Sequence, residues 1–147
     1  MHGRYVLIPV RSLRRPLLAM LAFVAISTAF AKPPPPPPDS VGVKTGKTIS
    51  VMFSVSGDKL VSPNPLPEPM EGESVVTLKL EQAGPSCTLY ITNGFAKTLN
   101  YRTMVRYRGK SSFEDSPAVP VRPYREGVMS FAARVDEIII YELRLTD

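Results

Sequence analysis

Imidazole is nearly missing from this chain: its one histidine is His2. Beyond that position there is no histidine general base, no Ser-His-Asp triad and no Cys-His pair. Zinc and copper sites lose their usual ligands for the same reason. One cysteine, Cys87, excludes an intramolecular disulfide. Tryptophan is absent. So are a Gly-rich phosphate loop and an HExxH motif, and no segment carries a helical period of useful length. These gaps remove most catalytic and metal chemistry, and no cofactor is implied.

The N-terminus carries an address. Arg11, Arg14 and Arg15 form a basic lead, and Leu17–Ala31 is an apolar run ending Ala29-Phe30-Ala31. That layout predicts a secretory signal peptide over residues 1–31, cleaved after Ala31. At 15 residues the run is short of the roughly 20 needed to span a bilayer. Lys32 stands where a lipid-anchored protein carries cysteine. The expected compartment is the bacterial periplasm, with secretion as the alternative. Four of the 18 basic residues leave with the signal and no acid does, so 14 basic residues face 13 acids. A mature chain so balanced has no electrostatic footprint for nucleic acid.

Residues 32–47 read as a Pro-rich linker, with Pro33–Pro38 a polyproline II rod acting as a stiff spacer. From Thr48 onward the period is two. Ile49, Val51, Phe53 and Val55 alternate with polar neighbours and Met52; Val76, Leu78 and Leu80 do so over about 74–81. Cys87, Leu89 and Ile91 share a face in a strand ending at Asn93-Gly94. Thr98–Arg108 places Leu99, Tyr101, Thr103, Val105 and Tyr107 on one side. Ala118–Arg122 is expected as a short edge strand, because its prolines exclude it from a sheet centre. Gly127–Val135 is expected as one strand, Asp136-Glu137 as a tight connection, and Ile138–Leu145 as a last strand with Ile139, Tyr141, Leu143 and Leu145 on one face. About seven strands in residues 48–147 predict one all-β domain, an antiparallel β-sandwich, with a small β-barrel as the alternative.

Leu89–Tyr107, LYITNGFAKTLNYRTMVRY, resembles a strand pair common in immunoglobulin-like domains of exported bacterial proteins. There an alternating strand ends at Asn, a short polar loop follows, and the next strand opens with an apolar residue and then an aromatic. Asn93, Leu99 and Tyr101 occupy those places. The resemblance implies an immunoglobulin-like sandwich and no activity. The core tryptophan and paired cysteines of antibody domains are absent, so it does not extend to that branch.

Two groups of residues are candidates for binding. Pro63, Pro65, Pro67 and Pro69 make SPNPLPEPMEGE a stiff extended loop, with Leu66 and Met70 as its apolar contacts. Arg102, Arg106 and Arg108 alternate on one strand and form a stripe suited to carboxylate or phosphate. Met104 adds an apolar patch, and Arg122 and Arg125 join the stripe if the next segment folds back. The acids fall in separate groups, Glu68, Glu71 and Glu73; Glu114 and Asp115; Asp136 and Glu137. Cys87 reads as a buried thiol or as one half of an intermolecular disulfide. Together these features predict a non-catalytic binding or scaffold module of the bacterial cell envelope, with a protein or an anionic envelope component as partner. An inhibitor of an envelope-directed hydrolase is the first alternative and a carboxylate-based enzyme the second. Mass spectrometry of the exported protein is expected to find Lys32 as its first residue; Met1 still attached would remove the envelope assignment.

Overall fold

The computed structural model describes residues 34–147, and the expected signal peptide lies outside them. Among the described residues nine strands form: β1 Val41–Lys44, β2 Lys47–Ser56, β3 Lys59–Pro65, β4 Val75–Ala83, β5 Ser86–Asn93, β6 Thr98–Tyr107, β7 Glu114–Ser116, β8 Glu126–Phe131 and β9 Val135–Thr146. Every pairing is antiparallel, in the order β7-β6-β9-β3-β2-β4-β5-β8, with β1 added to β9. The sheet curls into a half-barrel. Among the described residues no helix is long and apolar enough to cross a membrane.

The alternating pattern sets which face is buried. Val51, Val76, Leu78, Leu80, Leu89 and Ile91 point inward from β2, β4 and β5 and meet Leu99, Val105, Ile138, Ile140, Leu143 and Leu145 from β6 and β9. Removing such side chains from water stabilises the fold by about 2 kcal/mol each. Tyr101 joins this core, donates its hydroxyl to Met129 Sδ at 3.3 Å, and has its pKa pushed up to about 12 by burial.

Four assignments made from the sequence change. Residues 41–44, expected in the linker, form β1, because Val41 and Val43 reach the core opposite Ile140 and Ile138. Ala118–Arg122 is not a strand. Its prolines supply no N–H, so only Val121 makes a reciprocal bridge to Leu99, and the strand at that edge is β7. The turn before the last strand is Ala132–Arg134, and Asp136 and Glu137 lie inside β9. The face assignment of β9 is half reversed. Asn100 pairs with Arg144 and Arg102 with Tyr141, so β9 carries one extra residue, and Glu142 takes a left-handed φ of 49°. This bulge shifts the alternation by one. Ile138 and Ile140 therefore point inward with Leu143 and Leu145, while Ile139 and Tyr141 share the outer face with Arg102 and Met104.

Cys87 is fully buried on β5, and burial pushes its thiol above the ordinary value. Iodoacetamide is expected to leave Cys87 unmodified in native protein and to alkylate it once guanidinium unfolds the chain. Stoichiometric labelling in native buffer would show that this face of β5 is open.

Candidate functional site

Three connections meet at one end of the sheet: the β3–β4 loop, the β5–β6 loop and the β7–β8 loop. The prolines of the β3–β4 and β7–β8 loops cannot donate backbone hydrogen bonds, so these segments pair little with their own backbone. Two buried clasps position them.

The first clasp holds the β3–β4 loop. Ser50 on β2 and Thr77 on β4 face each other across the register, with hydroxyls 2.7 Å apart. Both reach the Met70 carbonyl, at 2.8 and 3.0 Å, and the Met70 N–H donates to Ser50 Oγ at 2.9 Å. One hydroxyl proton serves the carbonyl while the other serves the neighbouring hydroxyl, so both buried groups are satisfied. The Leu66 N–H donates to the Ser50 carbonyl at 2.8 Å. Leu66 is half-buried under this arrangement, whereas Met70 has a pinned backbone and a side chain 54% exposed.

The second clasp is Asn93, at the end of β5 and fully buried. Its two amide hydrogens are shared among the carbonyls of Lys97 (2.8 Å), Val121 (3.1 Å) and Arg122 (3.1 Å), and its Oδ1 accepts the Phe95 N–H at 3.0 Å. The Asn93 backbone N–H donates to the Arg125 carbonyl at 2.9 Å. One side chain thus shapes the β5–β6 loop and ties the segment PAVPVRPYR, Pro117–Arg125, to it. The next residue joins the two clasps. Ser74 N–H donates to the Gly94 carbonyl and Gly94 N–H to the Val75 carbonyl. The backbones pass so closely that a methyl on Gly94 would collide with the carbonyls of Gly72 and Val75.

This end presents exposed apolar side chains with charges of both signs, Glu68, Glu71 and Glu73 on the β3–β4 loop and Arg122 and Arg125 on the β7–β8 loop. The β7–β8 loop adds Val119, 59% exposed, and Tyr124, 58% exposed, to the exposed Met70 of the β3–β4 loop. Val119, Arg122, Arg125 and Glu126 help to line a shallow hollow of about 370 Å³. Among the described residues neither Arg122 nor Arg125 makes an ion pair.

The arginine stripe sits elsewhere, on β6, separated from the Met70 clasp by β9 and β3 in the sheet order. Arg102 pairs with Glu142 at 3.6 Å, Arg106 with Glu137 at 2.8 Å and Arg108 with Asp136 at 3.5 Å, so the stripe's charge is balanced in place. Arg102 also lies over the Tyr141 ring, and the Tyr141 hydroxyl donates to Asp115 at 3.3 Å. Burial pushes the Tyr141 phenol above its ordinary value, against the pull of the Arg102 cation. The two predicted groups of site residues therefore form separate surfaces.

Comparison with protein-family models, with curated proteins and with solved structures gives no match. The site is thus read from its own chemistry.

Sequence reading located the proline loop from Leu66 onward, whereas Pro63 and Pro65, expected in that loop, lie inside β3, which pairs with β2; it missed the roles of Asn93, Val119 and Tyr124. A signal was available: a segment with prolines at 117, 120 and 123 pairs poorly in a sheet, so its carbonyls need a side-chain donor nearby. Asn93→Ala is expected to destabilise the protein by about 2–3 kcal/mol, since it removes a buried amide and takes from the Lys97 carbonyl and the Phe95 N–H their side-chain partner, while Val121 and Arg122 keep backbone donors. Asn93→Asp should cost more, because it sets a carboxylate against these carbonyls. Urea unfolding measures both, and a change below about 0.5 kcal/mol for either would remove Asn93 as the organiser of these loops.

Proposed function

We infer that the chain is a non-catalytic, exported binding module of the bacterial cell envelope, and that it binds with the loop end built around Met70 and Tyr124. One observation carries this reading. Buried hydrogen-bonding groups are spent on fixing the backbone of loops whose apolar side chains remain in solvent. A surface ordered before contact loses little conformational entropy on docking, and large apolar side chains on it supply the contact energy. Arg122 and Arg125 make no ion pair among the described residues, although Glu126 shares their hollow, and they favour an acidic protein or another anionic envelope component.

The non-catalytic part of the reading rests on the lack of histidine after His2. Periplasmic or secreted location rests on the N-terminal layout. The same proposal takes the half-barrel as an immunoglobulin-like sandwich. β3 meets β9 at a single register pair, Lys59 with Arg144, which leaves β3-β2-β4-β5-β8 and β1-β9-β6-β7 as two halves over a common core.

Deleting the whole β3–β4 loop would orphan the hydroxyls of Ser50 and Thr77, so side-chain truncation is the cleaner test. A photo-crosslinking residue placed at position 70 or 124 is expected to trap the same envelope partner in living cells. Placed at Val128, exposed on the outer face of β8, it should trap none. Met70→Ala with Tyr124→Ala should cut capture at least about tenfold, the loss of roughly 1.4 kcal/mol of contact energy, and leave the thermal midpoint unchanged. Equal capture by parent and double variant would overturn the assignment of this surface.

A further inference from the structure

The polyproline segment is not a free spacer. Pro34–Pro37 lie on the outer face of the β6–β9 pair, facing Met104, Phe113 and Ile139 across a hollow of about 330 Å³. The far end of the segment is fixed. Asp39, at a left-handed φ of 55°, accepts the Ser62 N–H at 2.7 Å, and β1 follows at once on β9.

Three features make this face a receptor for polyproline II. Its floor is apolar because the bulge at Glu142 turns Ile139 outward, and Ile139 is only 6% exposed although it lies outside the common core. Space is left above it by Gly42, which pairs with Ile139 on β1; a methyl there would sit 3.1 Å from Glu137 Oε1 and 3.6 Å from Ile139 Cγ1. Its wall is an aromatic ring under a cation, beside a donor that Pro34–Pro37 themselves leave unmet. The Arg106 guanidinium lies over Phe113 at 5.4 Å, and its Nε is buried with no hydrogen-bond partner among the described residues. A polyproline II helix offers apolar rings and unpaired carbonyls and has no N–H of its own to satisfy. Aromatic-lined grooves read this helix through such complementarity.

We propose that the Met104–Phe113–Ile139 groove is a binding site for proline-rich segments, masked in cis by the chain's own Pro34–Pro37, and that its occupant in trans is a polyproline II stretch of another protein. A tethered segment competes at an effective concentration on the order of millimolar. A trans ligand therefore binds only in proportion to the unmasked fraction.

The probe is a fluorescent hexaproline peptide, with a glycine-serine peptide of equal length as control. Fluorescence anisotropy is read on the exported protein and on a variant in which Pro34, Pro35, Pro36 and Pro37 are all changed to serine. The serine variant should bind hexaproline at least about tenfold more tightly than the parent, as expected if the cis segment occupies some nine-tenths of the grooves. Adding Phe113→Ala to the serine variant should abolish binding, and the control peptide should bind neither protein. No binding to a serine variant that keeps its strand circular dichroism overturns the proposal. So does equal binding to both proteins, or binding indifferent to Phe113→Ala. If the serine variant fails to fold, methyl NMR of the parent decides. Excess hexaproline should shift the Met104 and Ile139 resonances and leave Val128 in place; shifts elsewhere, or none, overturn the site.

Discussion

One extra residue in β9 governs much of the outer surface. Strands present alternate side chains to opposite faces, so a bulge exchanges inside for outside beyond it. Glu142, in the left-handed region, absorbs that step. C-terminal to it Leu143 and Leu145 fill the core; N-terminal to it Ile138 and Ile140 do. Without the step either Ile138 and Ile140 or Leu143 and Leu145 would face solvent. With it, Ile139 and Tyr141 become the apolar part of the outer face, and the arginines of β6 stand beside them opposite acids of the same strand.

β9 is also where the sheet changes partners. Along one edge it follows β6 throughout, while its other edge meets β1 over residues 137–140 and β3 only at Arg144. The curled sheet is continuous across that thin seam. The N-terminal arm gains its place from the same arrangement, because β1 adds Val41 and Val43 to the core and leaves Gly42 over Ile139. The polyproline segment is thereby delivered to a face where it lines one hollow with Met104, Phe113 and Ile139.

The loop end follows a different rule. There the ordering agents are polar and buried: Ser50 and Thr77 on one side, Asn93 on the other. Fully satisfied buried groups of this kind fix one conformation, since any other leaves a donor or acceptor unpaired at a cost of about 1–3 kcal/mol. Proline supplies stiffness and the clasps supply position. Met70 and Tyr124 are left in solvent on backbones that have little freedom to lose.

The period of two from Thr48 onward, its β-branched and aromatic residues and its turn residues determined an all-β antiparallel chain, and the strands centred on Val51, Leu78, Leu89 and Val105 follow from them. Local pattern also marked the proline loop and the arginine alternation. Alternation cannot report a change of phase inside an apolar run, and IIIY at 138–141 reads the same in either phase; only pairing against β6 places the bulge. Nor does local pattern reveal that Asn93 reaches Val121 and Arg122, 28 and 29 residues away, or that Asp136, Glu137 and Glu142 answer the arginines. These are contacts between segments far apart in the chain, set by strand register and by the demand that every buried polar group find a partner. The tertiary structure alone decides them.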